Sequence, residues 1–435
     1  MRNRYAICLI LLVAVAIRVW YNGYSPDPIV TGDTYGYFLT GKNMLASGRP
    51  FFFYISQRPP VYPLFLQLPT LMKRTFPTEL FSINFFDGMH TVIIVQSMLG
   101  IIGVVVLYLL TAMLRFTLWE RISLAFLIGT HISFISWEHV LVAESMTVPL
   151  VLLYAVVVLR LLRKISVFGV FTLCILSIIG LWLKPLYLFL PLLSFPVLFL
   201  CWKKRNARAW ITGGFLIVLG IVGLQFLANR MYHGYTGFSH VSDINMLGRM
   251  LKAGIPPPRT LSLSMYYAPY VNYSREKNDP EPPFHFLDSI DPSIIVDPNF
   301  KALEDLHRFV LGSFVSSPGL YIRSALLDIP EALVWKPEES RISQTEIGNV
   351  LETLAYAINI VSISILILFP WSIYQVIRAP TRESMTIAFL MGISIAQLVI
   401  TVMVGYGGYE RLMISTIPIT CVCVWWYGRN LKFKV

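Results

Sequence analysis

Charge is scarce in this chain: 35 Lys and Arg and 24 Asp and Glu make up 14% of 435 residues, against ~25% in soluble domains. With 56% of residues hydrophobic, that shortage excludes a pair of ordinary soluble domains. Acids are scarcer than bases, leaving a formal net charge of +11. The bases form no aromatic-interleaved face, however. They sit in short clusters between apolar runs, as the positive-inside rule distributes Lys and Arg, so the excess describes membrane topology and implies no nucleic-acid partner. Cysteine is also sparse. Cys8, Cys174, Cys201, Cys421 and Cys423 each lie within or at the end of an apolar run, which excludes a disulfide scaffold or thiolate zinc site and leaves free, small hydrophobes. No small-x-small cleavage site follows the first apolar run, where Arg18, Trp20 and Tyr21 come directly, so that run reads as a retained helix. No fixed-period repeat and no inverted pair of Gly- or Pro-broken helices is present, the latter a frequent mark of secondary transporters.

What the chain has in abundance is long apolar stretches, at residues 5–21, 90–114, 121–137, 140–162, 165–183, 185–202, 210–228, 350–370, 385–404 and 411–426. About 20 helical residues cross a hydrocarbon core. The expected fold is therefore an all-α polytopic membrane protein of about ten transmembrane helices. Placing Arg2 and Arg4, Arg115 and Arg121, Arg160, Arg163 and Lys164, Lys203 to Arg208, Arg378 and Arg382, and Arg429 to Lys434 on one side makes every inner segment basic and both termini cytoplasmic. Residues 1–228 and 350–435 then form the membrane domain. Its first outer loop, 22–89, carries a proline-rich apolar run at 61–72 suited to the interface. Residues 229–349 form a small folded outer layer with helical periodicity at 241–253 and 299–327.

Ionisable residues at a membrane's edge are costly and therefore candidates for function. One side collects Asp33 in Thr31-Gly32-Asp33-Thr34-Tyr35, Arg58 before Pro59-Pro60-Val61-Tyr62-Pro63, Glu138, His139 and Glu144, Lys184 before Pro185, and Glu410-Arg411. Each has a plain structural alternative: Asp33 as a helix N-cap, Arg58 as a snorkelling anchor, Lys184 and Arg411 as edge anchors, and Glu144 as a helix cap or a partner of His139. Carboxylate and imidazole suit a divalent cation, which makes Asp33, Glu144 and His139 a chemically reasonable set. No spacing enforces it, and no metal is assigned.

The run from Arg18 through Gly32-Asp33, Tyr35, residues 41–48 and Arg58-Pro59-Pro60-Val61-Tyr62-Pro63-Leu64-Phe65-Leu66 resembles the first helix and first outer loop of C-type (GT-C) glycosyltransferases. It is similar in particular to the bacterial branch related to protein O-mannosyltransferases and the lipid A aminoarabinose transferase. Val142-Ala143-Glu144-Ser145, Leu183-Lys184-Pro185 and Tyr409-Glu410-Arg411-Leu412 fall where that family has a Glu, a basic-Pro pair and a late Glu-x-Arg element. The resemblance implies a membrane transferase facing the periplasm or exterior. It would move a sugar from a polyprenyl-phosphate-linked donor to a lipid, glycan or protein acceptor.

In that family frame Asp33 is the catalytic carboxylate and Arg58, Lys184 and Arg411 bind the donor phosphate, while Tyr35, Tyr62, His139, Glu144 and Glu410 line the substrates. Many protein O-mannosyltransferases have a second carboxylate beside the first-loop Asp. Here the flanking residues are Gly32 and Thr34, which turns the expectation toward lipid and glycan acceptors. A polysaccharide polymerase or ligase, which also uses lipid-linked donors, and a lipid or sugar transporter are the rival readings. A transporter places its charges near the bilayer midplane rather than at one edge.

Overall fold

The computed structural model describes residues 2–46, 53, 58–73, 83–256, 263, 267, 270–272, 282–290, 300–335, 345–405 and 409–431. Every regular element among them is helical, and the sole extended pairing among them is one isolated parallel bridge between Ile29 and Val140. The chain begins with α1 (Arg2–Tyr24), α2 (Gly32–Ala46), α3 (Val61–Leu66) and α4 (Leu68–Lys73), then α5 (Ile83–Met113), α6 (Leu118–Gly129) and α7 (Ile132–His139). It continues through α8 (Glu144–Arg163), α9 (Val167–Leu183), α10 (Phe189–Cys201) and α11 (Arg205–His233).

α8 is the hub. It packs on α5, α7, α9 and α10, and 15 of its 20 residues are buried, so it runs inside the bundle rather than along lipid. Glu144 in its first turn and Arg160 and Arg163 in its last complement the helix dipole. Some polar groups in this interior find partners on neighbouring helices, as a water-free environment favours. Tyr154 Oη of α8, for example, lies 2.6 Å from Ser194 Oγ of α10 and 3.3 Å from Ser177 Oγ of α9.

A second apolar core is built by α12 (His240–Ala253), α13 (Pro282–Ile290), α14 (Phe300–Ser316) and α15 (Pro318–Leu327), around Leu247, Met250, Phe286, Phe309 and Tyr321. α16 (Ile329–Leu333) leads from it toward the bundle. α17 (Glu346–Ile360), α18 (Ile365–Arg378), α19 (Arg382–Val404), α20 (Tyr409–Met413) and α21 (Ile417–Leu431) follow. Tyr321 donates from its hydroxyl to the Met403 carbonyl at 2.8 Å, fastening the second core to the end of α19.

Six helical stretches among the described residues are long and apolar enough to cross a membrane: 4–24, 85–113, 144–163, 205–233, 346–378 and 382–404. Counting the pair α6 and α7, bent by 44°, as one span makes seven. This is the character of a multi-pass integral membrane protein, but helix length does not carry the expected ten crossings. The reason is local. The runs expected at 165–183 and 185–202, divided at Lys184-Pro185, form α9 and a second helical stretch, 185–201, neither longer than 17 residues. The last run is likewise broken at a 3₁₀ turn, Ile414–Thr416, which leaves 15 residues in α21. The run at 61–72 is two short helices, with Tyr62, Pro63 and Leu66 buried against α2 and α5 rather than one interfacial element.

Candidate active site

The loop after α1 is locked onto the α7–α8 turn before any charged contact is made. Ile29 donates its N–H to the His139 carbonyl at 2.8 Å and accepts from Leu141 N–H at 3.0 Å. Thr34 Oγ1 donates to the Leu141 carbonyl at 2.9 Å, and the Thr31 N–H donates to Thr34 Oγ1 at 3.0 Å. The first turn of α2 is thereby held against the N-terminus of α8. Asp33 lies inside that first turn rather than at the N-cap, and its carboxylate is turned to arginine.

α3 is drawn close to α2 by a missing side chain: a Cβ on Gly41 would collide with the Pro63 carbonyl. Gly36 does the same for the cation, since its Cβ position is 3.1 Å from Arg58 Nε. Tyr62 then donates to Gln96 Oε1 at 2.7 Å, while Gln96 Nε2 donates to the Glu138 and Val140 carbonyls at 2.6 and 3.1 Å. Tyr37 places its ring 4.8 Å from the Arg58 guanidinium carbon and edge-on to Tyr62 at 5.0 Å.

On this frame five ionised groups from five parts of the chain form a continuous network. Arg58 Nη2 is 2.8 Å from Asp33 Oδ1, and Arg411 Nη1 is 2.7 Å from Asp33 Oδ2. Arg411 Nε lies 3.8 Å from Glu144 Oε1, which accepts from Lys184 Nζ at 2.7 Å. Among the described residues three cations face two carboxylates, which leaves one unit of positive charge. The buried Arg411 Nε–H also has no hydrogen-bond partner among the described residues.

Burial by itself would raise the Asp33 carboxyl, but Arg58 and then Arg411 outweigh it and hold the group well below the usual carboxylate range. Lys184 moves down because burial dominates, with Glu144 opposing. Glu144 also lines a small internal cavity of about 20 Å³ with Arg18, Glu138 and Ser145, room for a single water.

Asp33, Arg58, Glu144, Lys184 and Arg411 are therefore brought together, although they are up to 378 positions apart in sequence. Tyr62 supports them from behind. Tyr35 is exposed. His139 Nδ1 is 3.2 Å from the Ile135 carbonyl of its own helix, and its ring packs 4.7 Å from Tyr21. Glu144 pairs with Lys184, and among the described residues Asp33, Glu144 and His139 do not form a metal-binding group. Glu410 lies on α20, with its side chain outside the described residues.

Three things were not anticipated. Tyr37 is one turn beyond Asp33 on the same helix face, a spacing that marks it as a neighbour. Arg18 and Glu138 form a separate buried pair with Nε to Oε2 at 2.8 Å, for which the signal was one lone cation and one lone anion, each in an apolar run. Arg249, only 1% exposed, donates to Asp328 Oδ2 and Tyr409 Oη at 3.0 Å each and to the Gly405 carbonyl, while the Tyr409 hydroxyl donates to Asp328. No family model and no curated protein matches this chain.

Proposed function

We propose that this chain is a membrane glycosyltransferase of GT-C-like architecture. It moves a sugar from a polyprenyl-phosphate-linked donor to a hydroxyl of a lipid, glycan or protein acceptor at the membrane edge, and the absence of a second carboxylate beside Asp33 favours lipid and glycan. The observation that supports the reading is a single carboxylate gripped by two guanidiniums within a network that, among the described residues, is net positive and holds a buried N–H donor without a hydrogen-bond partner. Such an arrangement attracts an anion, and a phosphate offers arginine the planar, paired acceptors its fork fits.

In this mechanism the donor phosphate takes Arg58, Arg411 and Lys184 as partners, drawing the guanidiniums off Asp33. Release from its cations raises the basicity of Asp33, so the base is switched on by the substrate it must follow. The acceptor hydroxyl passes its proton to Asp33 as its oxygen bonds to the anomeric carbon. The anomeric carbon–phosphate oxygen bond breaks, and its electron pair stays on the polyprenyl phosphate, where the three cations stabilise the growing charge. The shorter stretches α9, 185–201 and 409–431 cross in this reading as well. The first two have no more than 17 residues each and span roughly 25 Å, at the lower limit for a membrane helix.

The test is titration of a polyprenyl phosphate against the protein in nanodiscs. Arg58→Ala and Lys184→Ala weaken binding and lower turnover further, whereas Arg58→Lys restores only part. Equal affinities across the set, or no binding by the unaltered protein, overturn the assignment.

A further inference from the structure

At the other end of α8, roughly 25–30 Å along the helix from Glu144, lies a second cationic feature that the transfer chemistry does not use. An open groove of about 550 Å³ runs between the ends of α5 and α8, lined by Leu109, Ala112, Met113, Arg160, Arg163 and Lys164. All three cations are exposed, and none is given a carboxylate partner among the described residues. Arg163 donates to the Met113 carbonyl and ties the two helix ends together. The neighbouring Arg429 differs: it spends its charge on Glu120 at 3.5 Å and donates to the Arg115 carbonyl. Both helices that wall the groove belong to candidate membrane spans ending here, at Met113 and Arg163. The groove therefore opens at headgroup depth.

We infer that this groove binds the phosphate headgroup of an anionic lipid. Arg160, Arg163 and Lys164 supply the donors, and Leu109, Ala112 and Met113 supply an apolar wall for the glycerol and first methylenes. Snorkelling alone accounts for exposed cations at a helix end. It does not account for three uncompensated cations converging with apolar side chains on one concave surface, the arrangement by which basic pockets between membrane helices select anionic headgroups. The inference is independent of the glycosyl-transfer reading.

The experiment uses the purified full chain, stripped of lipid in detergent and titrated with phosphatidylglycerol or phosphatidylcholine under native mass spectrometry. One phosphatidylglycerol is retained per chain, and phosphatidylcholine is not. Each cation near a headgroup is worth roughly fivefold in affinity, so Arg160→Gln with Lys164→Gln lowers retention about 25-fold. Adding Arg163→Gln lowers it further, and the double variant keeps the Arg163–Met113 tie in case the triple variant loosens the turn. Lys203→Gln with Lys204→Gln, which removes equal charge outside the groove, leaves retention unchanged. Equal retention in the groove and control variants overturns the inference, as does graded adduct formation without a discrete first lipid. Displacement of the lipid by millimolar inorganic phosphate shows a free-anion site and overturns the lipid assignment.

Discussion

Replacing Glu144 with Gln strikes the shared member of the charge network, and the consequence follows from its geometry. Glu144 is 2% exposed, its Oε1 accepts from Lys184 at 2.7 Å, and the same oxygen lies 3.8 Å from Arg411. Glu144→Gln leaves the Lys184 ammonium, whose side chain is 12% exposed, facing a neutral amide. Breaking a buried pair in this way costs about 3–5 kcal/mol. Lys184→Met costs less, about 1–3 kcal/mol, because Glu144 retains Arg411 as a partner. The double variant has neither orphan and loses less than the two singles together, with a coupling of about 2 kcal/mol.

There is also a pH signature. Burial already lowers the Lys184 ammonium, and losing Glu144 removes what opposes it, so the folded variant sheds this proton more readily than the unfolded chain. Stability then rises with pH, and the Glu144→Gln deficit shrinks as pH rises toward the unfolded lysine value of about 10.4. Chemical denaturation in nanodiscs followed by tryptophan fluorescence measures all four corners of the cycle. A Lys184→Met loss equal to or larger than that of Glu144→Gln, or strict additivity, refutes the shared-carboxylate argument.

Asp33→Asn binds polyprenyl phosphate but transfers ~10²- to 10⁴-fold more slowly, and near-normal turnover with purified donor and acceptor removes Asp33 from the chemistry. The acid limb of kcat, which reports the complex, lies at higher pH than that of kcat/KM for donor, which reports the free protein with its cation-suppressed Asp33; coincident limbs contradict activation by donor. In the second core, His307 Nδ1 is 3.1 Å from Asp243 Oδ1, and this contact raises the imidazole above its usual range against the opposing effect of burial. Its stabilisation is complete below the unfolded value of about 6.5 and is lost as pH rises through the folded one, so hydrogen exchange in α12 and α14 quickens across that window and the step disappears in His307→Gln.

How much of this was legible in the sequence depends on the range of the force involved. Helical periodicity at 241–253 and 299–327 was local, and it overlaps α12, α14 and α15, the second stretch being broken in two at Ser317. Proline and lysine set where α9 stops, yet whether a 17-residue helix crosses a bilayer depends on tilt and neighbours, which a hydropathy window does not contain. At the site, Asp33, Arg58, Glu144, Lys184 and Arg411 stood out because charges are expensive in an apolar chain. Their pairing did not: the alternatives for Glu144 were the nearby His139 or a helix cap, and its partner is the distant Lys184. Three-dimensional closure decided it: the Ile29–Val140 bridge turns the end of α7 so that His139 meets Tyr21. Arg249 was passed over because it lies in an amphipathic helix, where an arginine ordinarily faces water.

α20 has five residues, and two of them, Tyr409 and Arg411, point to opposite sides of a helix that turns about 100° per residue. Arg249 and Asp328 hold the first, and Asp33 and Glu144 hold the second. The α12–α16 layer and the charged network thus have their hands on the two ends of one short lever. Any rocking of that layer turns Arg411 relative to Asp33 and changes the basicity of the carboxylate without a new contact at the site. For protein engineering, residues 240–333 are not a detachable cap. A graft that brings a new layer but leaves Tyr409 facing a side chain other than Arg249 releases one end of α20.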